Sequence, residues 1–243
     1  MNPQLAFVFP GQGSQSYGML AELAAEHALI GSVFAEASEG AGVDLWQISQ
    51  NADDDRLNQT EYTQPALLAA NIALWRVWQQ QGGAQPAVLS GHSLGEYAAL
   101  VAAGALSLKD GAHLVRLRGQ FMQAAVPAGT GAMAAVLGAE DAQVEQVCIE
   151  CSNDASAVVA ANYNSPGQIV IGGHAEAVER AIAALQAAGI RKTVKLAVSV
   201  PSHTPLMRDA AVQLQEAIGA LAWQMPDRTI IHNVDAAAKT DIA

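Results

Sequence analysis

The chain has 243 residues, 51% of them apolar and 14% charged. That length and composition suit one large or two modest folded domains and exclude a disordered polymer. A formal net charge of −11 argues against non-specific binding to nucleic acid or to anionic lipid, because phosphates would be repelled.

From the N-terminus, Leu5 to Phe9 reads as a buried parallel strand ended by Pro10-Gly11, then a loop Gly11-Gln12-Gly13-Ser14-Gln15. The segment before it has no basic leader, and no window is long and apolar enough to span a bilayer, so a cytoplasmic protein is expected. Met19 to Glu26 and Ile30 to Ser38 read as helices, and Asp53-Asp54-Asp55 as a solvated acidic turn. Pro65 to Gln81 predicts a helix with Pro65 in its first turn, an apolar face of Leu67, Leu68, Ile72, Trp75 and Trp78, and a Gly82-Gly83 stop. Ala87 to Leu89 is a short strand, Glu96 to Ala103 a helix, and a further helix runs from Leu106 to about Ala125.

After Pro127 the texture changes. Ala132–Leu137, Asp141–Glu150, Ala157–Asn162, Gln168–Gly172, Ala175–Ala188 and Thr193–Val198 alternate as strand, helix, strand, strand, helix, strand. That order is a ferredoxin-like unit. The expected organisation is a core of residues 1–126 and 199–243, with an inserted small domain at 127–198. Cys148 and Cys151 end a helical run instead of opening one, so the Cys-x-x-Cys spacing reads as two reduced thiols, and two thiols alone do not make a zinc site. The core resumes at Pro201-Ser202-His203, with a helix from Pro205 to Leu221 and a strand near Ile230-Ile231.

The chemistry concentrates at Gly91-His92-Ser93-Leu94-Gly95. A Gly-x-Ser-x-Gly run between a strand and a helix is the nucleophile-elbow pattern: glycines permit the sharp turn, the serine hydroxyl stands above the sheet, and the helix N-terminus faces the oxygen. A serine nucleophile needs a base. Of the six histidines, His27 and His113 lie in helical runs, His92 is inside the elbow, His174 ends a hairpin and His232 follows the last strand. His203, in a proline-fixed loop after a strand, is modestly favoured on these grounds.

Five segments in order then carry a family resemblance: Phe9-Pro10-Gly11-Gln12-Gly13-Ser14-Gln15, Gly91-His92-Ser93-Leu94-Gly95-Glu96-Tyr97, Arg116-Leu117-Arg118-Gly119-Gln120-Phe121-Met122, Tyr163-Asn164-Ser165-Pro166-Gly167-Gln168 and Val200-Pro201-Ser202-His203. Together they resemble the malonyl-CoA:acyl carrier protein transacylases of type II fatty acid synthesis. The resemblance implies an α/β-hydrolase-like core with the ferredoxin-like insertion. It implies Ser93 as the acylated nucleophile, His203 as base, Arg118 as the grip on the malonyl carboxylate and the Gln12 and Leu94 amides as oxyanion hole, with His92, Gln64 and Asn162 lining the pocket. Arg116, two residues from Arg118, points to another side of the helix, so only one of the pair can face the site.

The same resemblance implies malonyl-CoA as substrate, acyl carrier protein as partner and bearer of the phosphopantetheine thiol, no resident cofactor or metal, and a monomer. Arg191, Lys192 and Lys195 resemble the family's docking patch, a local basic exception on an acidic chain. One departure stands out: a Gln-x-x-x-Pro-Val-x-Trp segment and a later Gly-Pro-Gly turn, expected beyond Asn233-Val234-Asp235-Ala236, do not occur. In the family a backbone carbonyl of that segment orients the base. Two other readings remain at this level: a serine esterase or thioesterase, with Asp110, Asp141 or Asp154 as the acid, and a catalytically incomplete fragment.

Overall fold

The structure is a computed structural model of the chain, describing residues 1–127, 129–196, 198 and 200–238. Two compact units emerge: Met1–Gly119 together with the chain from Glu216 on, and Gln120–Gln215. The second unit contains the expected small-domain segment and extends beyond it on both sides, taking in His203. Ala197 and Ser199, where a strand and a domain edge were expected, lie outside the described residues.

The first unit is built on a parallel sheet of three strands: β1 (Asn2–Phe9), β2 (Pro86–Gly91) and β7 (Thr229–Ile231), in the order β1-β2-β7. Its helices are α1 (Ala21–Glu26), α2 (Ala28–Ala41), α3 (Leu45–Gln50), α4 (Thr60–Gln80), α5 (Leu94–Ala102) and the first part of α6 (Leu108–Ala125). Fully buried Ile30, Phe34, Leu68, Ile72, Leu89 and Leu94 form the heart of the core. Each such side chain contributes about 1.5–3 kcal/mol relative to exposure. Phe34 meets Trp46 edge to face at 5.0 Å, and Phe7 meets both Trp75 and Trp78 at 5.3 Å.

Three expectations are corrected here. The first strand is parallel but not buried: it is an edge strand on which Leu5, Phe7 and Phe9 turn towards covering side chains, while Val8 is 73% exposed. Alternation puts successive side chains on opposite faces, and only one face of this strand is covered. The long helix begins at Thr60, five residues before Pro65, so the proline stands in the second turn. Its missing N–H would have donated to the Glu61 carbonyl. A 3₁₀ turn at Asp55–Asn58 leads into this helix, and Asp54 caps that turn through Arg56 N–H and grips the Arg56 guanidinium at 2.5 Å. The acidic run is therefore partly a cap and not merely solvated.

The second unit carries an antiparallel sheet in the order β4-β5-β3-β6, from β3 (Gly131–Leu137), β4 (Val158–Ser165), β5 (Gln168–His174) and β6 (Lys192–Lys195). Helices α7 (Asp141–Cys151) and α8 (Ala175–Ala187) follow β3 and β5 and supply Val144, Val178, Ala181 and Leu185 to a core with Ala134, Val136, Ile169 and Ile171. Helix α9 (Arg208–Gly219), whose residues up to Gln215 belong to this unit, follows a 3₁₀ turn at Pro205–Met207, so the single helix expected from Pro205 is two elements. Cys148 is buried and Cys151 half-buried, both as free thiols in the last turns of α7. Burial pushes the Cys148 thiol up to about 12, which leaves it protonated and unreactive at neutral pH.

Candidate active site

The site in the first unit is assembled at the carboxyl ends of parallel strands. Strand β2 ends at Gly91 and α5 begins at Leu94, so His92 and Ser93 alone make the connection. Ser93 stands at φ 51°, ψ −107°, a positive φ that side chains rarely adopt. Such a conformation costs about 1–3 kcal/mol and persists only where its surroundings enforce it. Here they do. Gly95 N–H donates to His92 O at 2.9 Å and Glu96 N–H to Ser93 O at 3.1 Å. A Cβ on Gly91 would lie 2.0 Å from the Gly95 carbonyl carbon, and one on Gly95 2.0 Å from Phe9 O. The close passage of β1, β2 and α5 thus requires both glycines.

Arg118, on α6, aims its guanidinium at the elbow. Its Nη2 donates to Ser93 Oγ at 3.1 Å and its Nη1 to Gln64 Oε1 at 2.7 Å, with the guanidinium carbon 5.7 Å from the Tyr97 ring centroid. Burial pushes the Arg118 pKa below its ordinary value, while Tyr97 and Glu96 act in the opposite direction; a guanidinium stays charged regardless. Arg116 points elsewhere: it donates to Ala41 O, lies 3.8 Å from Glu61 and sits over the Tyr62 ring. Of the two arginines, Arg118 is the one beside the serine.

The remaining expected residues divide between the units. In the first, Gln12 follows the β1 turn and its side chain donates to Thr60 Oγ1 at 3.2 Å; buried Asn71 donates to Pro10 O at 3.2 Å and fixes that turn. Leu94 is buried at the first position of α5, where its N–H has no carbonyl of the helix to reach. His92 is exposed, and its N–H donates to Phe9 O at 3.0 Å. In the second unit, Asn162 pairs with Val170 across β4 and β5. His203 is exposed at φ 61°, in a turn fixed by Thr204 Oγ1 donating to Pro201 O at 2.7 Å and Ser202 N–H to Val200 O at 3.0 Å. Arg191 and Lys192 are exposed, whereas Lys195 is engaged by Glu179 at 2.5 Å.

A second set of residues at the elbow was not anticipated. Ile231 pairs with Ser90, so the chain leaving β7 runs alongside the elbow. Asn233 Oδ1 accepts the Ser93 N–H at 2.9 Å, and its Nδ2 donates to Gly91 O and to Glu96 Oε2. Glu96 also accepts the Asn233 N–H at 2.9 Å and faces His232 Nδ1 at 2.7 Å. The available signal was positional: a His-Asn pair at the carboxyl end of a parallel strand, where sites in such sheets gather.

A helix N-terminus behind a strained serine, on a parallel sheet with a half-buried guanidinium at its hydroxyl, defines an α/β protein with a strand–serine–helix elbow. The match to the acyl transferase domain family covers residues 6–241, and the chain belongs to that family. It is 53% identical to the malonyl CoA-acyl carrier protein transacylase of Salmonella typhimurium over 99% of its own length and 77% of the relative's. It superimposes on the crystal structure of malonyl-CoA:acyl carrier protein transacylase from Xanthomonas oryzae pv. oryzae with a TM-score of 0.97, at 67% identity, covering 99% of this chain and 76% of that one. A third similar structure, a malonyl-transacylase in complex with a type II polyketide acyl-carrier protein, matches with a TM-score of 0.94 and 48% identity, covering 97% and 76%. Among the described residues no helix is long and apolar enough to cross a membrane, and no cluster of His, Cys, Asp or Glu could hold a metal ion.

Proposed function

We propose that the chain moves the malonyl group of malonyl-CoA onto the phosphopantetheine thiol of an acyl carrier protein, in fatty acid biosynthesis, through a malonyl ester on Ser93. The observation that carries this reading is the Arg118 guanidinium 3.1 Å from the Ser93 hydroxyl. A cation next to the nucleophile suits an acyl group that itself bears a carboxylate, which a planar guanidinium can hold by two charge-assisted hydrogen bonds. Gln64, already bound to Nη1, keeps the fork oriented.

In the first half-reaction His203 takes the Ser93 proton and Oγ attacks the thioester carbonyl. The Gln12 and Leu94 amides hold the resulting oxyanion. Collapse breaks the C–S bond, and His203 returns the proton to the departing CoA sulfur. In the second half-reaction the carrier's thiol gives its proton to His203, the sulfur attacks the ester, and the C–O bond breaks as His203 returns that proton to Oγ and restores the serine. His92, Gln64 and Asn162 line the pocket, and Arg191, Lys192 and Lys195 receive the acidic carrier protein. The architecture behind this is a hydrolase-like core carrying a ferredoxin-like insertion. The strand order of the second unit, β4-β5-β3-β6, with α7 after β3 and α8 after β5, supports the insertion.

The test is transfer of labelled malonyl from malonyl-CoA to a holo acyl carrier protein. Ser93→Ala is expected to lower the rate by about a thousandfold or more. Transfer at an unchanged rate overturns the reading.

A further inference from the structure

Resting on the malonyl-serine reading, we infer that Asn233, held by Glu96, is a positioning residue that sets the Ser93 elbow and decides which amide serves the oxyanion. The elbow peptide between Gly91 and Ser93 is gripped from one side chain at both ends: Asn233 Nδ2 donates to Gly91 O while Oδ1 accepts the Ser93 N–H at 2.9 Å. A carboxamide gives from its nitrogen and accepts at its oxygen, two separate atoms that can reach both ends of the peptide at once. Its orientation is not left to chance, because Glu96 Oε2 accepts from the same Nδ2 and from the Asn233 backbone N–H at 2.9 Å, while Oε1 faces His232.

Two consequences follow. The clamp spans His92 and Ser93, the stretch with the strained φ of 51°, and so opposes relaxation of the serine to an ordinary conformation. It also occupies the Ser93 N–H. Gly95 and Glu96 N–H groups are bound to His92 O and Ser93 O. That leaves Leu94 N–H as the elbow's donor towards a tetrahedral oxygen. Losing the clamp would release Oγ from its line of attack and let the Ser93 amide compete for the oxyanion.

The experiment uses Asn233→Ala, Asn233→Asp, Glu96→Gln and the double variant Asn233→Asp/Glu96→Gln, with pre-steady-state acylation by malonyl-CoA followed by quenched intact mass and normalised to the folded fraction. For Asn233→Ala the acylation rate constant should fall about a hundredfold, the scale of a small misplacement of a reacting group, with the malonyl-CoA concentration at half-saturation changed less than about threefold. Asn233→Asp sets two carboxylates together and should be at least as slow. Adding Glu96→Gln restores a donor–acceptor pair and should recover part of the rate. A residue that only stabilised the fold would lower the melting temperature and the folded fraction but leave the rate per folded molecule, and would show no rescue. Wild-type rates in folded Asn233→Ala overturn the inference and leave the malonyl-serine intact. Absence of acylation in the wild-type protein instead defeats the reading on which it rests.

Discussion

Arg118 Nη2 and Ser93 Oγ are 3.1 Å apart, and the same guanidinium is anchored on its other arm by Gln64 Oε1 at 2.7 Å. A positive charge so close to the hydroxyl favours its deprotonated form and any anion that forms there. On the proposed reading the pair links two functions, activating the nucleophile and recognising an acyl group that carries a negative charge.

Arg118→Ala should lower kcat/KM for malonyl-CoA by about 10²–10³-fold and reduce discrimination against acetyl-CoA by a comparable factor, since a site built around a half-buried cation disfavours a group that leaves it unpaired. Arg118→Lys should rescue little, because an ammonium cannot reproduce the two-pronged grip. Competition kinetics with the two thioesters checks both outcomes.

Gly95→Ala places a methyl 2.0 Å from Phe9 O, a backbone atom that cannot swing aside. Overpacking of this kind costs about 1–3 kcal/mol and sometimes more. The expected result is a lower melting temperature by circular dichroism and loss of acylation together. Gly31→Ala, where a Cβ meets nothing within 4 Å, should leave both unchanged.

Reversing Arg191 and Lys192 to glutamate should slow transfer to the carrier protein about tenfold or more at low salt while sparing malonyl loading, because on the proposed reading the patch acts only on the acidic partner. Lys195 already pairs with Glu179, so its reversal should have a smaller effect. Separate rates for the two half-reactions distinguish docking from a general loss.

Tyr163 donates to Glu145 Oε1 at 2.5 Å, and this bond, with burial second, pushes its phenol from 10.0 up to about 12. The neutral phenol is favoured in the folded state. The pair's contribution to stability is thus present below about pH 10 and lost as pH rises towards 12. Spectroscopic titration should show a late tyrosinate component that Tyr163→Phe removes and Glu145→Gln moves to lower pH.

Much of the chain was legible as sequence because its signals are local. The run Ala87-Val88-Leu89 before Gly91 and the apolar helix after Gly95 appear as β2 and α5. The alternation of strands and helices after Pro127 appears as β3 to β6 with α7 and α8. What stayed hidden depends on contacts distant along the chain. Val8 looks like a core residue until the strand proves to be covered on one face. Pro65 looks like a helix start until the preceding 3₁₀ turn supplies an earlier one. Asn233 carries no motif of its own. Its role depends on β7 lying beside β2, which brings it 140 positions back to Ser93.

The measurement that bears most directly on the serine ester is intact mass with peptide mapping after brief incubation with malonyl-CoA, run on the wild-type protein, Ser93→Ala and Arg118→Ala. The expected result is a gain of one malonyl group on the wild-type chain, located at Ser93, no gain on Ser93→Ala, and a much slower gain on Arg118→Ala. Malonyl on the Ser93→Ala chain, or on a residue other than Ser93 in the wild type, would contradict it.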